Sequence, residues 1–239
     1  MPTNVANSKA GNASWKTRKR IQRKMMKTVN ILECIPEDES CPCSEGKVLK
    51  EFMKIVNFER NNRIEINYKE INNNKELLFH IYESKGGCLY ISCHGDYDKD
   101  GTYLETPDGR LYSHEMLCPP PELVPVLGDY LRRAFKGGDG CGHKSHLWRN
   151  LDDDDKPVLV VLSSCYTAKK GDLIEAFLDS GCRYVIAPRE EVEFGDSALF
   201  TTTLFGLIFW KEMQVSYAFN KAKKICGDAA KWLIARKSK

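Results

Sequence analysis

His94 and Cys165 are the two side chains in this chain whose types and settings suit covalent catalysis. Each follows a short apolar run: Cys88-Leu89-Tyr90-Ile91-Ser92-Cys93 leads into His94-Gly95-Asp96, and Val158-Leu159-Val160-Val161-Leu162-Ser163-Ser164 leads into Cys165-Tyr166-Thr167. A thiol attacks as its thiolate, and a neighbouring imidazole supplies either the base or the positive environment that forms it. Gly95 adds a second element. Lacking a side chain, it lets its amide approach a substrate carbonyl, and with the amide of Cys165 it offers two donors to an oxyanion. The plainer alternative is that Cys165 is a small buried hydrophobe and His94 a hydrogen-bonded structural residue. The paired placement at two strand ends weighs against it.

Other cysteine and ligand chemistries fit less well. A phosphatase loop needs the Cys before a Gly-rich turn that ends in Arg, and the turn after Cys165 supplies no such Arg. No CxxC redox pair, GxxxxGK[ST] or GxGxxG sequence is present, so no cofactor is expected. Cys41-Pro42-Cys43 and the group Cys141, His143, His146 hold ligand types that zinc prefers, but neither has a standard spacing and about a hundred residues separate them. The expectation is no metal, with a zinc-stabilised interaction domain as a rival.

The elements that must position His94 and Cys165 read as alternating strands and helices. Thr28–Glu33 forms a first strand. Ser44-Glu45-Gly46 opens a helix with Val48, Leu49, Phe52, Ile55 and Val56 on its apolar face. A strand over Arg63–Tyr68 and a helix capped by Asn74 precede the strand that ends in His94. Unbroken apolar runs suit parallel strands covered by helices on both faces, and ligands of such sheets sit beyond the carboxyl ends. Thr102–Thr106 and Leu111–Ser113 flank Pro107-Asp108-Gly109 as a hairpin. A helix is expected over 123–135, and 136–156 reads as a flexible, exposed, dispensable insert carrying four consecutive Asp. Then come a helix over Asp172–Leu178, a strand over Arg183–Ala187 and two helices, Ser197–Trp210 and Val215–Arg236.

Composition bounds the class. The 239 residues, 42% hydrophobic, suit one α/β domain. The net charge of +3 is uneven. Residues 1–28 carry eight Lys or Arg and no acid, leaving 28 basic against 33 acidic side chains elsewhere, a net of −5. The basic tail, residues 1–27, reads as solvated, with weak contact to nucleic acid its one route to such a partner. Neither an apolar secretion signal nor a membrane-length run is seen. With ten cysteines, the reading is therefore a cytoplasmic protein with reduced thiols and no membrane partner.

These residues resemble a known family. The chain is similar to a CHAT domain, a branch of the caspase-like (clan CD) cysteine peptidases that also includes separase. The resemblance covers about residues 28 to 230. It rests on Ser92-Cys93-His94-Gly95, Gly101-Thr102-Tyr103-Leu104 through Asp108-Gly109-Arg110-Leu111-Tyr112, and Leu162-Ser163-Ser164-Cys165-Tyr166-Thr167. Ser180-Gly181-Cys182, Tyr184-Val185-Ile186-Ala187 and the helix around Ala218–Ala222 extend it. The chain departs from the family in three ways. Pro188-Arg189-Glu190 stands where a Leu-Trp dipeptide is usual, the stretch between His94 and Cys165 is longer, and no tetratricopeptide repeats precede it.

The resemblance implies a caspase-like sandwich: a mostly parallel central sheet flanked by helices, with a small hairpin insertion, over residues 28–239. It implies a cysteine endopeptidase acting on a protein or peptide substrate in a regulated signalling or defence response, with a regulatory protein partner. Cys165 would attack the scissile carbonyl, His94 would protonate the leaving amine, and the Gly95 and Cys165 amides would hold the oxyanion. By likeness to separase, Glu191, Glu193 and Asp196 would help bind a basic side chain before the cut. The alternative is a catalytically silent interaction module of the same fold.

Overall fold

The computed structural model describes residues 27–34, 44–61, 63–117, 148, 151–152, 155–227 and 231–237. Among these residues nine strands form two sheets: β1 (Thr28–Glu33), β2 (Glu65–Glu70), β3 (Cys88–Ser92), β4 (His94–Asp98), β5 (Gly101–Thr106), β6 (Gly109–Tyr112), β7 (Leu159–Ser163), β8 (Tyr184–Pro188) and β9 (Trp232–Arg236). The helices are α1 (Glu45–Glu59), α2 (Asn74–Glu83), α3 (Ser113–Leu117), α4 (Asp172–Asp179), α5 (Phe194–Phe205), running on into a π-helical turn (Gly206–Trp210), and α6 (Val215–Ile225).

The six-stranded sheet has the order β2-β1-β3-β7-β8-β9. All of its pairings are parallel except that of β9, which runs antiparallel to β8. Strands β3 and β7 are buried along their whole length, as their apolar runs require when both faces are covered. Alternate residues feed two cores. Leu89, Ile91, Val160 and Leu162 pack with Leu77, Leu78 and Ile81 of α2 and Leu173 and Phe177 of α4. Tyr90, Leu159 and Val161 pack on the other face with Leu49, Met53 and Val56 of α1, Phe200 and Leu204 of α5, and Phe219 of α6. The result is a helix–sheet–helix sandwich.

Local chemistry explains the helix starts. The Ser44 side chain accepts from the Lys47 amide to cap α1, and Asn73 accepts from the Glu76 amide to cap α2. The cap of α2 is thus Asn73 rather than Asn74. On α1 the buried side is Leu49, Met53 and Val56, while Val48 and Ile55 face solvent. Both apolar stripes have helical spacing, and only the sheet selects which one is covered.

The structure corrects three further expectations. The strand leading to His94 ends at Ser92. His94 instead begins β4, which pairs with β5 and β6 in a separate antiparallel sheet, so the hairpin has three strands. The expected helix Val215–Arg236 stops at Ile225. Gly227, with φ 52°, turns the chain, and Trp232–Arg236 closes the sheet as an edge strand. Trp232 stacks on Phe200 with ring centroids 4.4 Å apart, tertiary packing that overrides helical propensity. The third correction is Trp148, inside the segment read as an exposed insert. It is buried, stacks on Phe177 and donates its indole N–H to the Ile81 carbonyl at 2.9 Å. At this residue the segment is anchored in the core rather than exposed.

The expected helix over 123–135, the basic tail through residue 26, the rest of the insert apart from residues 148, 151–152 and 155–156, and Cys41, Cys43, Cys141, His143 and His146 lie outside the described residues. Among the described residues no helix is long and apolar enough to cross a membrane.

Candidate active site

The chain runs from β1 through α1 to β2 on one side and returns through α2 to β3 on the other side of β1. This reversal parts the connecting loops at the carboxyl ends of β1 and β3, the place where open α/β sheets bind ligands. A cavity of about 400 Å³ opens there. Its wall includes Glu33 and Cys34 at the end of β1, Ser92, Cys93 and His94 at the end of β3, and Ser163, Ser164 and Cys165 at the end of β7. Val192, Phe194 and Ser197 complete it from the segment after β8, with Ser44 and Glu45 at the start of α1.

His94 and Cys165 therefore meet at one cavity, although neither lies on a central strand. His94 is exposed, and Cys165 is half-buried. Cys93 is the single residue between β3 and β4, so the central sheet sets where the imidazole begins. Gly95 is buried against the Cys165 loop. A Cβ there would stand 2.8 Å from the Cys165 carbonyl oxygen and 2.9 Å from Ser164 Cβ, so only glycine permits the approach. Tyr166, directly after Cys165, has φ 59°, a left-handed conformation unusual for an aromatic residue and frequent in strained functional turns. Its amide donates to the Glu190 carbonyl, and its ring meets Tyr97 edge-to-face with centroids 5.7 Å apart.

The Cys165 thiol sits over the backbone of Val192, accepting from its amide at 3.4 Å and donating toward its carbonyl at 3.6 Å. Burial pushes this thiol up. The charges of Glu191 and Asp96 push the same way, while the Val192 amide and its own amide oppose them. A proton acceptor is therefore needed for attack near neutral pH.

Glu191, Glu193 and Asp196 are all exposed and none lies in the cavity wall, which takes Val192, Phe194 and Ser197 from the same stretch. Glu191 is close enough to act on the Cys165 thiol.

Two carboxyl groups inside the wall escaped the sequence reading. Glu33 accepts from Ser44 Oγ at 2.7 Å, the Gly46 amide at 2.9 Å and the Tyr68 hydroxyl at 2.8 Å. It thus ties the end of β1 to the amino end of α1. Glu45 is buried and accepts from Ser163 Oγ at 2.6 Å, Ser197 Oγ at 2.8 Å and, longer, Thr201 Oγ1. The Tyr90 hydroxyl lies close to the same carboxyl without hydrogen-bond geometry. Burial pushes Glu45 up despite these hydroxyls. Glu33 and Glu45 flank Ser44 and read in sequence as an ordinary strand end and an ordinary first-turn acid; nothing local marks them as cavity residues.

Asp172 is a further residue that the sequence reading passed over. It opens α4 and accepts from the Thr102 amide at 2.9 Å and from Ser113 Oγ at 2.8 Å, with the Thr102 hydroxyl on its other oxygen. Burial acts to raise its carboxyl, but these donors hold it below the ordinary carboxylate range. The hairpin that begins with His94 is thereby tied to the helix that follows the Cys165 loop. Its one sequence signal was an acid just after Gly171, where a helix begins.

Among the described residues no three His, Cys, Asp or Glu side chains cluster as a metal site. No protein-family model matches the chain, and no curated protein matches it.

Proposed function

We propose that this protein is a cysteine endopeptidase of the caspase-like type, with His94 and Cys165 as its dyad. The observation that carries the reading is the convergence of His94-Gly95 and Cys165 on one cavity at the point where the sheet order reverses. Cys165 Sγ attacks the scissile carbonyl carbon while its proton passes to His94. The amides of Gly95 and Cys165 stabilise the oxyanion. His94 then protonates the departing amine, and water hydrolyses the thioester, regenerating the thiol. The neutralising hydrogen bonds come from the backbone, so the reaction asks for no cofactor.

A basic side chain before the cut suits this site. Among the described residues the cavity wall contains no Lys or Arg, and the charge of Glu191 acts on the Cys165 thiol from beside it. A carboxylate beside the nucleophile favours Arg or Lys through charge-assisted hydrogen bonds and rejects an acidic side chain. The substrate is a protein segment, and the setting is a regulated response in the cytoplasm.

One observation favours a silent interaction module of the same fold: burial and the neighbouring acids hold the Cys165 thiol in its protonated form. Peptide acyloxymethyl ketones bearing Arg, Leu or Asp before the warhead separate the readings. A peptidase is labelled at Cys165, fastest by the Arg probe, and labelling disappears in Cys165→Ala and falls at least 100-fold in His94→Ala. No labelling of the folded chain by any probe would leave the silent module.

A further inference from the structure

We propose that Cys34 and Cys93 form a reversible dithiol–disulfide couple in the wall of the cavity, oxidised by a hydroperoxide. β1 and β3 are parallel neighbours with Glu33 opposite Ser92, and the Cys34 amide donates to the Ser92 carbonyl at 2.8 Å. One residue further along, Cys34 and Cys93 stand opposite each other. Leu32 and Ile91, also opposite in register, point into one core, and the two-residue period of strands carries Cys34 and Cys93 to that same face. The two thiols lie close enough for each to act on the other. Neighbouring strands lie about 4.8 Å apart, inside the roughly 4.4–6.8 Å span of Cα atoms that a disulfide bridges.

Access and partners fit a redox role. Cys93 is half-exposed and Cys34 is buried behind it, both in the cavity wall. Among the described residues no third ligand joins this pair of thiols to make a tetrahedral metal site. The Cys93 thiolate attacks the peroxide, giving a sulfenic acid and releasing hydroxide. The Cys34 sulfur then displaces the sulfenic oxygen, which leaves as water after taking up a proton. The sum is two thiols and one hydrogen peroxide giving one disulfide and two waters: the sulfurs lose two electrons and the peroxide gains them. A small dithiol reverses the step by exchange.

The bond would reach the dyad through Cys93. Its sulfur now lies 3.0 Å from the Ser164 hydroxyl, the residue before Cys165, and its backbone leads directly to His94. Drawing Cys93 onto β1 removes the Ser164 contact and shifts the start of β4. The effect on activity rests on the peptidase reading; the couple itself does not.

The test uses the full chain. Cys165→Ala protein is treated with equimolar hydrogen peroxide, remaining thiols are alkylated, and peptides are mapped by mass spectrometry. The expected product joins Cys34 to Cys93 and is lost after dithiothreitol. Recovery of both as alkylated thiols, or Cys93 joined elsewhere, would overturn the couple. In parallel, labelling of Cys165 by the Arg probe is timed before and after peroxide in the otherwise unaltered chain and in Cys34→Ser, each against its own untreated rate. A tenfold greater loss in the unaltered chain, restored by dithiothreitol, supports the link to the dyad; equal losses refute it. A reduced chain that no probe labels would reject the peptidase reading while leaving the mapped disulfide standing.

Discussion

Gly95 is required for the space it leaves rather than for its backbone freedom, since its φ is not positive. An added Cβ would also come within 3.0 Å of Thr167 Cγ2, on top of its clashes with Cys165 O and Ser164 Cβ. Two of these three neighbours cannot swing aside: one is backbone, and the other is the Cβ of a buried residue whose neighbour is the proposed nucleophile. Gly95→Ala should therefore part His94 from Cys165 while leaving the two cores intact. A displacement of about 1 Å costs roughly 100-fold in rate where orientation matters. The expected outcome is a 100-fold slower probe reaction at Cys165 with a far-ultraviolet spectrum like that of the unaltered chain. Labelling at the original rate would show that the approach of Gly95 has no part in the chemistry.

The elements that hold the dyad are joined by polar contacts rather than by sheet hydrogen bonds. β4, β5 and β6 share no ladder with the central sheet. What fastens them is Asp172 at the start of α4, with three donors from Thr102 and Ser113, and Leu104 and Leu111 in the core beneath. Gly101 fits the same contact: its φ of 143° and its closeness to the Asp172 carboxylate both exclude a side chain. Asp172→Asn keeps the shape but puts an N–H₂ toward donors. Losing charge-assisted bonds of this kind costs about 1–3 kcal/mol. Thermal denaturation should show that loss, and hydrogen exchange should show the Thr102 amide opening faster. Because Asp172 is held below the usual carboxylate range, its contribution is present above the unfolded value near 3.8 and fades as the pH falls below it. The difference in melting temperature between Asp172→Asn and the original chain should therefore be full at neutral pH and shrink on acidification.

Across the whole molecule, Glu45 is the buried polar junction: it connects α1 to Ser163 at the end of β7 and to Ser197 and Thr201 of α5. Its carboxyl is pushed up by burial, which gives the opposite sign to Asp172. The folded chain binds the Glu45 proton more tightly than the unfolded chain. The cost is absent below the unfolded value near 4.5 and grows as the pH rises above it, until the folded carboxyl ionises. Glu45→Gln retains an acceptor for the hydroxyls and has no proton to lose. Its melting temperature should match that of the original chain near pH 4 and exceed it progressively toward pH 8. A gap that narrows with rising pH would mean that Glu45 is stabilised as a carboxylate, and a gap that is constant would mean that it does not titrate on unfolding.

The alternation of apolar runs with helical stripes was sufficient for the α/β class, because β3 and β7 carry no polar face and so must be covered on both sides. The small polar residues after those runs marked His94 and Cys165, since a strand's carboxyl end is a property of local order in the chain. Helix caps were legible to within a residue for the same reason: Ser44 and Asn73 act on amides three residues away. The remainder depended on which segments the fold brings together. That Trp232–Arg236 is a strand and that Trp148 is core were decided by partners far away in sequence, β8 and Phe177 respectively. Cys34 and Cys93, like Glu33 and Glu45, had no local signature, because their chemistry lies in register across β1 and β3 and in packing beneath the cavity. Periodicity records which side of an element is apolar; only tertiary packing decides what that side, and the loop beyond it, will meet.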